Sequence, residues 1–353
     1  MSISKEAFAQ SSIKSISIPK SVTFIGEFAF FGCKNLTTVK LHEDSQLRVI
    51  ERYAFTESHI ETIKIPTKVE YIGDFTFSNC RNLRSIEFPA DSNLKAICKN
   101  VFAQSSIEKV SIPSKVHSIF EYAFYQCKSL KTVDFSDDSE LHSIGKDAFS
   151  LSSIEKITIP SKVNELSESW CGWTSNLNNI SIMKGNENFC FVDNSFILGK
   201  SDIKVNFFDF LIFSVRDIKN VTIPPYIRRI GMYAFCSCEK VDFVDFGVDS
   251  KLDLIEKCAF SKSSIIRISI PSSVRQIDEM AFSGCWCLES IEFLSDEIVV
   301  GNNCFSYNQN LSIVSFPNAK RISFGKDQFY SVSINFKLFI HVGSVLVNFK
   351  CKI

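Results

Sequence analysis

Three observations predict a β-rich solenoid of stacked coils, about fourteen windings of 22–25 residues each. A phenylalanine returns at a nearly fixed interval. Each interval carries an apolar triplet with strand-like spacing, and a proline follows every second triplet.

The interval is read from Ala-Phe-like pairs, whose second members are Phe8, Phe30, Phe55, Phe77, Phe102, Phe124 and Phe149. The steps between them alternate strictly, 22 then 25 residues. A second run holds Phe213, Phe235, Phe260, Phe282, Phe305 and Phe329, with steps of 22, 25, 22, 23 and 24. Cys171, which is 22 residues after Phe149, fills the slot between the runs. The chain contains 34 phenylalanines against 4 methionines and 3 tryptophans, so one ring type is used again and again. The unit is a 47-residue pair of unlike halves.

The triplets sit at i, i+3 and i+5. One half reads Ile13-Ile16-Ile18, Ile60-Ile63-Ile65 and Ile107-Val110-Ile112, and so on to Ile265-Ile268-Ile270. The other reads Leu36-Val39-Leu41, Leu83-Ile86-Phe88 and Leu130-Val133-Phe135, through to Leu288-Ile291-Phe293. The last two members alternate across a short strand. Pro19, Pro66, Pro113, Pro160, Pro224 and Pro271 then end the strand, because proline offers no N–H to a ladder. A Val-x-x-Ile segment follows, as in Val22-Ile25, and reads as a second extended piece. The glycines after it, Gly26, Gly73 and Gly231, read as tight turns. The Ala-Phe pair closes the coil, and only stacking buries its ring.

The pattern in residues 110–135, "VSIPSKVHSIFEYAFYQCKSLKTVDF", resembles the BspA-like leucine-rich repeats, the Treponema-type class. About residues 3–330 share it. The resemblance implies a right-handed leucine-rich-repeat solenoid with short strands on the concave face and turns or helical turns on the convex face. It also implies a cell-surface antigen or adhesin that binds host-cell or matrix proteins; the hydroxyl-rich strand face itself suits protein or glycan contact, and no enzymatic activity is expected.

Cys33, Cys80, Cys127, Cys238 and Cys285 all stand three residues after the ring, where the alternate half places serine, as in "AFAQSSI". Neighbours in that column lie two coils or ~9.6 Å apart at strand spacing. A disulfide needs Cα atoms within about 7 Å, so these cysteines cannot bridge. "CSC" at 236–238 and "CWC" at 285–287 lack a second pair or a histidine at ligand spacing. The column cysteines therefore read as buried turn-formers, and no metal or cofactor is expected.

The step from Cys171 to Phe213 is 42 residues, about 17 more than a coil. The excess contains "NFCFVDNSFIL", a β-hairpin candidate turning at Asp193-Asn194, either a projecting contact or an edge flap. The expected organisation is coils 1–8 over residues 1–187, a hairpin over 188–210 and coils 9–14 over 211–330. Residues 331–353 form either a capping hairpin around Gly343-Ser344 or a degenerate tail. The opening residues start mid-coil without a cap or signal peptide, which suits a truncated relative of a surface protein or an intracellular scaffold.

Lysine plus arginine and aspartate plus glutamate both number 39, so nothing electrostatic points to nucleic acid. No stretch of ~18 to 20 apolar residues would insert in a membrane. Catalytic signatures are absent, and "HEDSQ" at 42–46 carries Gln46 where a metalloprotease needs histidine. The sequons at Asn35, Asn179, Asn220 and Asn310 read as chance.

What remains is the outward side of the strands. Residues flanking each middle apolar position form two columns rich in Ser and Thr, with scattered charge. Lys64, Glu87, Lys109, Asp134, Asp245 and Glu292 lie there, together with Phe243 beside Arg267. Exposed aromatics and arginines dominate binding hot spots, so Phe243 and Arg267 are the first candidates for a partner-binding face.

Overall fold

The computed structural model describes residues 1–349 except 203, 334, 335, 343 and 344; the expected Gly343-Ser344 turn and Cys351 lie outside the described residues. The chain divides into two compact units, Met1–Asn188 and Phe189–Ile353. Each is a parallel β-solenoid, and the described residues contain no helix. The turn side of every coil is therefore built from turns alone.

In the first unit the triplet strands, from Ser15–Ser17 to Asn179–Ile182, form one eight-stranded parallel sheet. The Val-x-x-Ile segments form two four-stranded parallel sheets, one through Phe24–Ile25 and one through Ser118–Ile119. The third side is the turn that carries the rings. Successive rings from Phe8 to Phe149 stack in parallel, with centroids 5.0 Å apart at Phe30–Phe55 and 5.7 Å at Phe77–Phe102. Trp170 takes the alanine position before Cys171 and meets Phe149 edge-on at 6.3 Å, which ends the column.

The turn side explains why the aromatic pair repeats. Alternate amides reach the next coil: Phe28, Phe30 and Gly32 donate to the carbonyls of Arg52, Ala54 and Thr56 at 3.3, 2.7 and 2.8 Å. The amides between them, of Ala29, Phe31 and Cys33, close turns within the coil. That alternation needs a left-handed residue two places before and two places after each ring. Phe28, Tyr53 and Tyr122 hold φ of 57°, 59° and 58°, and Glu57 and Gln126 hold 60° and 57°. Such residues cost on the order of 1 kcal/mol each or more, offset here by the ladder bonds.

The glycines serve a different purpose from the tight turn expected of them. Gly26, Gly73 and Gly231 do not have positive φ. A Cβ at Gly26 would lie 2.7 Å from the Lys5 nitrogen, and at Gly73 2.5 Å from the Arg52 nitrogen. They permit close approach of coils, while bulky residues carry the left-handed turns.

The cysteine column is fully buried. Cys33, Cys80, Cys127 and Cys285 donate through Sγ to the carbonyls of Phe8, Phe55, Phe102 and Phe260 at 2.9–3.1 Å. Ser11, Ser58, Ser105 and Ser263 of the alternate half lie 3.4–3.5 Å from those sulfurs. Each thiol is thus a second donor to a carbonyl that already accepts a turn amide, from Ser11, Ser58, Ser105 and Ser263 in turn. Asn308 fills the slot after Cys285, accepting from the Cys285 amide at 2.7 Å and donating to Phe282 at 2.9 Å. Cys33, Cys80, Cys127, Cys238 and Cys285, the column itself, are free thiols and not disulfides.

The second unit opens differently. Cys190–Val192 pairs antiparallel with Phe196–Gly199, and Asp193 and Asn194 turn between them at φ of 51° and 50°. Phe196–Gly199 also pairs antiparallel with Phe210–Ser214, which runs parallel to Arg229–Ile230. Phe196, Ile197 and Leu198 are buried, while Cys190–Val192 is the half-buried edge strand of its sheet and Asp193 and Asn194 are exposed. Phe213 lies in that strand, outside the ring column. Ser214 makes the ladder bond to Ala234, so the turn register is shifted by one residue there. Phe235 meets Phe196 edge-on instead, at 6.1 Å. Buried Arg216 lies 4.0 Å over the Phe213 ring and donates to the carbonyls of Ala234 and Tyr233. Further on, the rings of Phe235, Phe260, Phe282, Phe305 and Phe329 stack again. Lys337–Val342 joins the strand-face sheet in parallel, and Val345–Phe349 pairs back on it antiparallel.

Two outcomes follow from this construction. Phe124→Ala empties a fully buried ring position and should cost about 3–5 kcal/mol in urea unfolding; a loss below about 1 kcal/mol would place the ring outside the core. Burial pushes the thiols of Cys80 up to about 12 and of Cys127 and Cys285 up to about 11. The unfolded chain ionises its thiols near pH 8.5 to 9, so their contribution is intact below that pH and falls as pH rises towards 11. Between pH 8 and pH 10.5 the wild type should therefore lose more stability than Cys127→Ser. Equal losses in urea titrations would contradict the assignment.

Candidate interaction surface

Strand geometry turns alternate residues outward, and both predicted columns face solvent. Lys64, Glu87, Lys109, Phe243, Asp245 and Arg267 are exposed, while Asp134 and Glu292 are half-buried. The first unit carries Lys64, Glu87, Lys109 and Asp134. There the charges are already engaged. Lys64 and Glu87 stand opposite each other in register with Nζ 2.9 Å from Oε2. The Glu87 carboxylate hydrogen-bonds Lys64 and holds its ammonium pKa above the ordinary value. Lys109 reaches Asp134 at 2.7 Å. Surface pairs of this kind are worth ~0–1 kcal/mol, and a partner must break them before using either charge.

The second unit carries the other four candidates. Phe243 and Arg267 are register partners on adjacent strands. Phe243 is 52 % exposed, which is unusual for a ring in a chain that buries so many. Arg267 forms its ion pair with Glu289, Nη2 to Oε2 at 3.0 Å. Asp245 accepts from the Gly247 amide at 2.9 Å and shapes the following loop. Glu292 lies between its register partners Ser269 and Ser315.

Sequence reasoning missed three members of this region. Ile266 and Ile313 are 38 % and 39 % exposed, and Glu289 orients Arg267. Ile266 belongs to the column of Thr37, Glu61, Arg84, Glu108, Lys131 and Glu155, where an apolar residue is conspicuous. Ile313 continues the column of Phe243, Arg267 and Ser290 by one strand. Phe243, Ile266 and Ile313 thus place apolar surface around an arginine held by one carboxylate.

Among the described residues, no group of three or more His, Cys, Asp or Glu could hold a metal ion. No helix in them is long and apolar enough to cross a membrane.

Comparison with known proteins agrees with this geometry. The chain is similar to a leucine-rich repeat protein from Bacteroides ovatus, with 21 % identity and a TM-score of 0.54 over 92 % of this chain and 87 % of the other. Against the pneumococcal vaccine antigen PcpA the values are 21 % and 0.55, over 97 % and 80 %. Against a leucine rich cell surface protein from Faecalibacterium prausnitzii they are 21 % and 0.59, over 92 % and 82 %. At such identity the likeness concerns the fold. No curated protein matches the chain. The sequence profile of the BspA type leucine rich repeat region, six copies long, matches residues 1–117, 95–209 and 202–335. With nearly the whole length matched in this way, the chain belongs to the BspA-type leucine-rich repeat family.

Proposed function

We propose that this is a non-enzymatic protein-binding repeat protein, a cell-surface antigen or adhesin that contacts host or matrix protein through its strand face. The observation that carries the reading is the patch of Phe243, Ile266, Arg267 and Ile313. It places an exposed ring and two exposed aliphatic side chains around an arginine on a preformed sheet. A rigid sheet loses little entropy on binding, and a ring beside an arginine is the common composition of a hot spot. Similarity to a surface antigen and to a cell surface protein supports the same reading. An intracellular scaffold using the same face is the second reading. The exposed Cys287 thiol, free in the structure, favours it, because a reducing compartment keeps such a group unpaired.

Immobilised wild type and Phe243→Ala/Arg267→Ala should be compared on extracts of host-cell membrane and matrix. The double variant should retain at least tenfold less of whatever protein the wild type binds. Equal retention would move the site off this patch. Antibody labelling of unpermeabilised cells separates the two locations: an adhesin labels from outside, and absence of exterior signal with strong signal after permeabilisation leaves the scaffold.

A further inference from the structure

A second surface lies wholly within the first unit, at the end of the strands where the chain turns towards the next sheet. In each long half of the repeat a five-residue excursion leaves the strand, at His42–Gln46, Pro89–Asn93 and Ser136–Glu140. Each excursion is pinned from inside. Buried Ser45, Ser92 and Ser139 accept from the amides of Leu47, Leu94 and Leu141 at 3.2–3.3 Å. The short halves have no such excursion and end at Pro66 and Pro113. The long loops therefore stand as ridges, and clefts open between them.

One of these clefts is well formed: of about 420 Å³, it is lined by Ile112 and Pro113 and flanked by Phe88 and Phe135. Ala90 and Asp138 also line it. Phe135 pairs in register with Ile112, and both rings are half-buried, so each shows an apolar edge to the cleft. A second opening, of about 610 Å³, lies at the first ridge between Leu41, His42 and Ile63, but Pro66 and the next ridge do not line it.

Repeat spacing selects the ligand. The ridges recur every two coils, or ~9.6 Å at parallel-strand spacing. A polyproline II helix presents side chains on one face every three residues, or about 9.3 Å. A β-strand presents them every ~6.8 Å, which does not fit the pitch. Proline-rich helices of this kind dock on aromatic-lined grooves with little ordering cost. Charge narrows the choice further. Asp91, Asp137 and Asp138 line the ridges of the smaller cleft and are exposed, and none has an ion-pair partner among the described residues. Lys115 is the neighbouring cation, and its ammonium is held by Asn93. A basic ligand complements this rim.

We infer that the Phe88–Pro113–Phe135 cleft binds a proline-rich, lysine- or arginine-bearing peptide segment in the polyproline II conformation, running across the ridges in step with their spacing. The surface is separate from the Phe243 patch and does not depend on it.

Fluorescein-labelled (Pro-Pro-Lys)4, (Gly-Ser-Lys)4 and (Pro-Pro-Glu)4 test the inference by anisotropy with the full chain. The first should bind at least tenfold tighter than either of the others. Ala90→Trp, which fills the cleft from an exposed position, and Asp137→Asn/Asp138→Asn should each weaken it at least tenfold. Phe243→Ala/Arg267→Ala should leave it unchanged. Thermal unfolding of each variant confirms the fold. Equal binding of (Gly-Ser-Lys)4 would reveal charge attraction alone and overturn the inference. Undiminished binding by both cleft variants, or no binding of the proline peptide, would overturn it equally.

Discussion

Each coil must return to the same height above its predecessor, because the ladder bonds on all of its sides close at one spacing. That constraint governs the molecule. Rings stacked 5.0–5.7 Å apart tolerate it, since a flat side chain in the interior repeats at nearly the strand spacing. A branched aliphatic side chain at the same point would have to interdigitate with unequal neighbours. The alternation of 22 and 25 residues follows: two of the three extra residues enter in the loop beyond the strand end and one between the ring and the strand, outside the ladders that set the height of a coil. The left-handed residues beside each ring are the cost of keeping alternate amides aimed at the next coil.

Much of this was legible in the sequence. The ring column, the strand triplets and the buried thiol slot are all periodic, and periodicity survives without knowledge of neighbours. Cys127 is a clear instance: its spacing excluded a disulfide, and the structure shows a thiol donating to the Phe102 carbonyl. Contacts that depend on the adjacent coil were less accessible. Gly73 stands where it does because the Arg52 backbone passes 2.5 Å from its absent Cβ. No local pattern separates that from a turn. Phe213 has the right interval from Phe235, but the antiparallel strand Phe196–Gly199 recruits it, and Ser214 takes over its hydrogen bond. Interval alone cannot register a shift of one residue.

The candidate surface divides along the same line. Outward positions followed from strand alternation and were correctly placed. Their partners did not follow, because pairing across coils depends on side-chain reach. Lys64 with Glu87 and Lys109 with Asp134 neutralise one another and Glu289 holds Arg267, so five of the seven charged candidates are occupied before any ligand arrives. Phe243, Ile266 and Ile313 have no such outlet. Apolar surface left on the outside of a fold that buries its phenylalanines so thoroughly is the strongest local sign of a partner.

The account rests on rings that touch their neighbours one coil away and no further. A double-mutant cycle in urea tests this directly, using Phe102→Leu with Phe124→Leu and, as the distant pair, Phe77→Leu with Phe149→Leu. Adjacent rings should couple by about 0.5–1.5 kcal/mol, and the distant pair by less than about 0.5 kcal/mol. Equal coupling in both pairs, or none between Phe102 and Phe124, would contradict a stacked column.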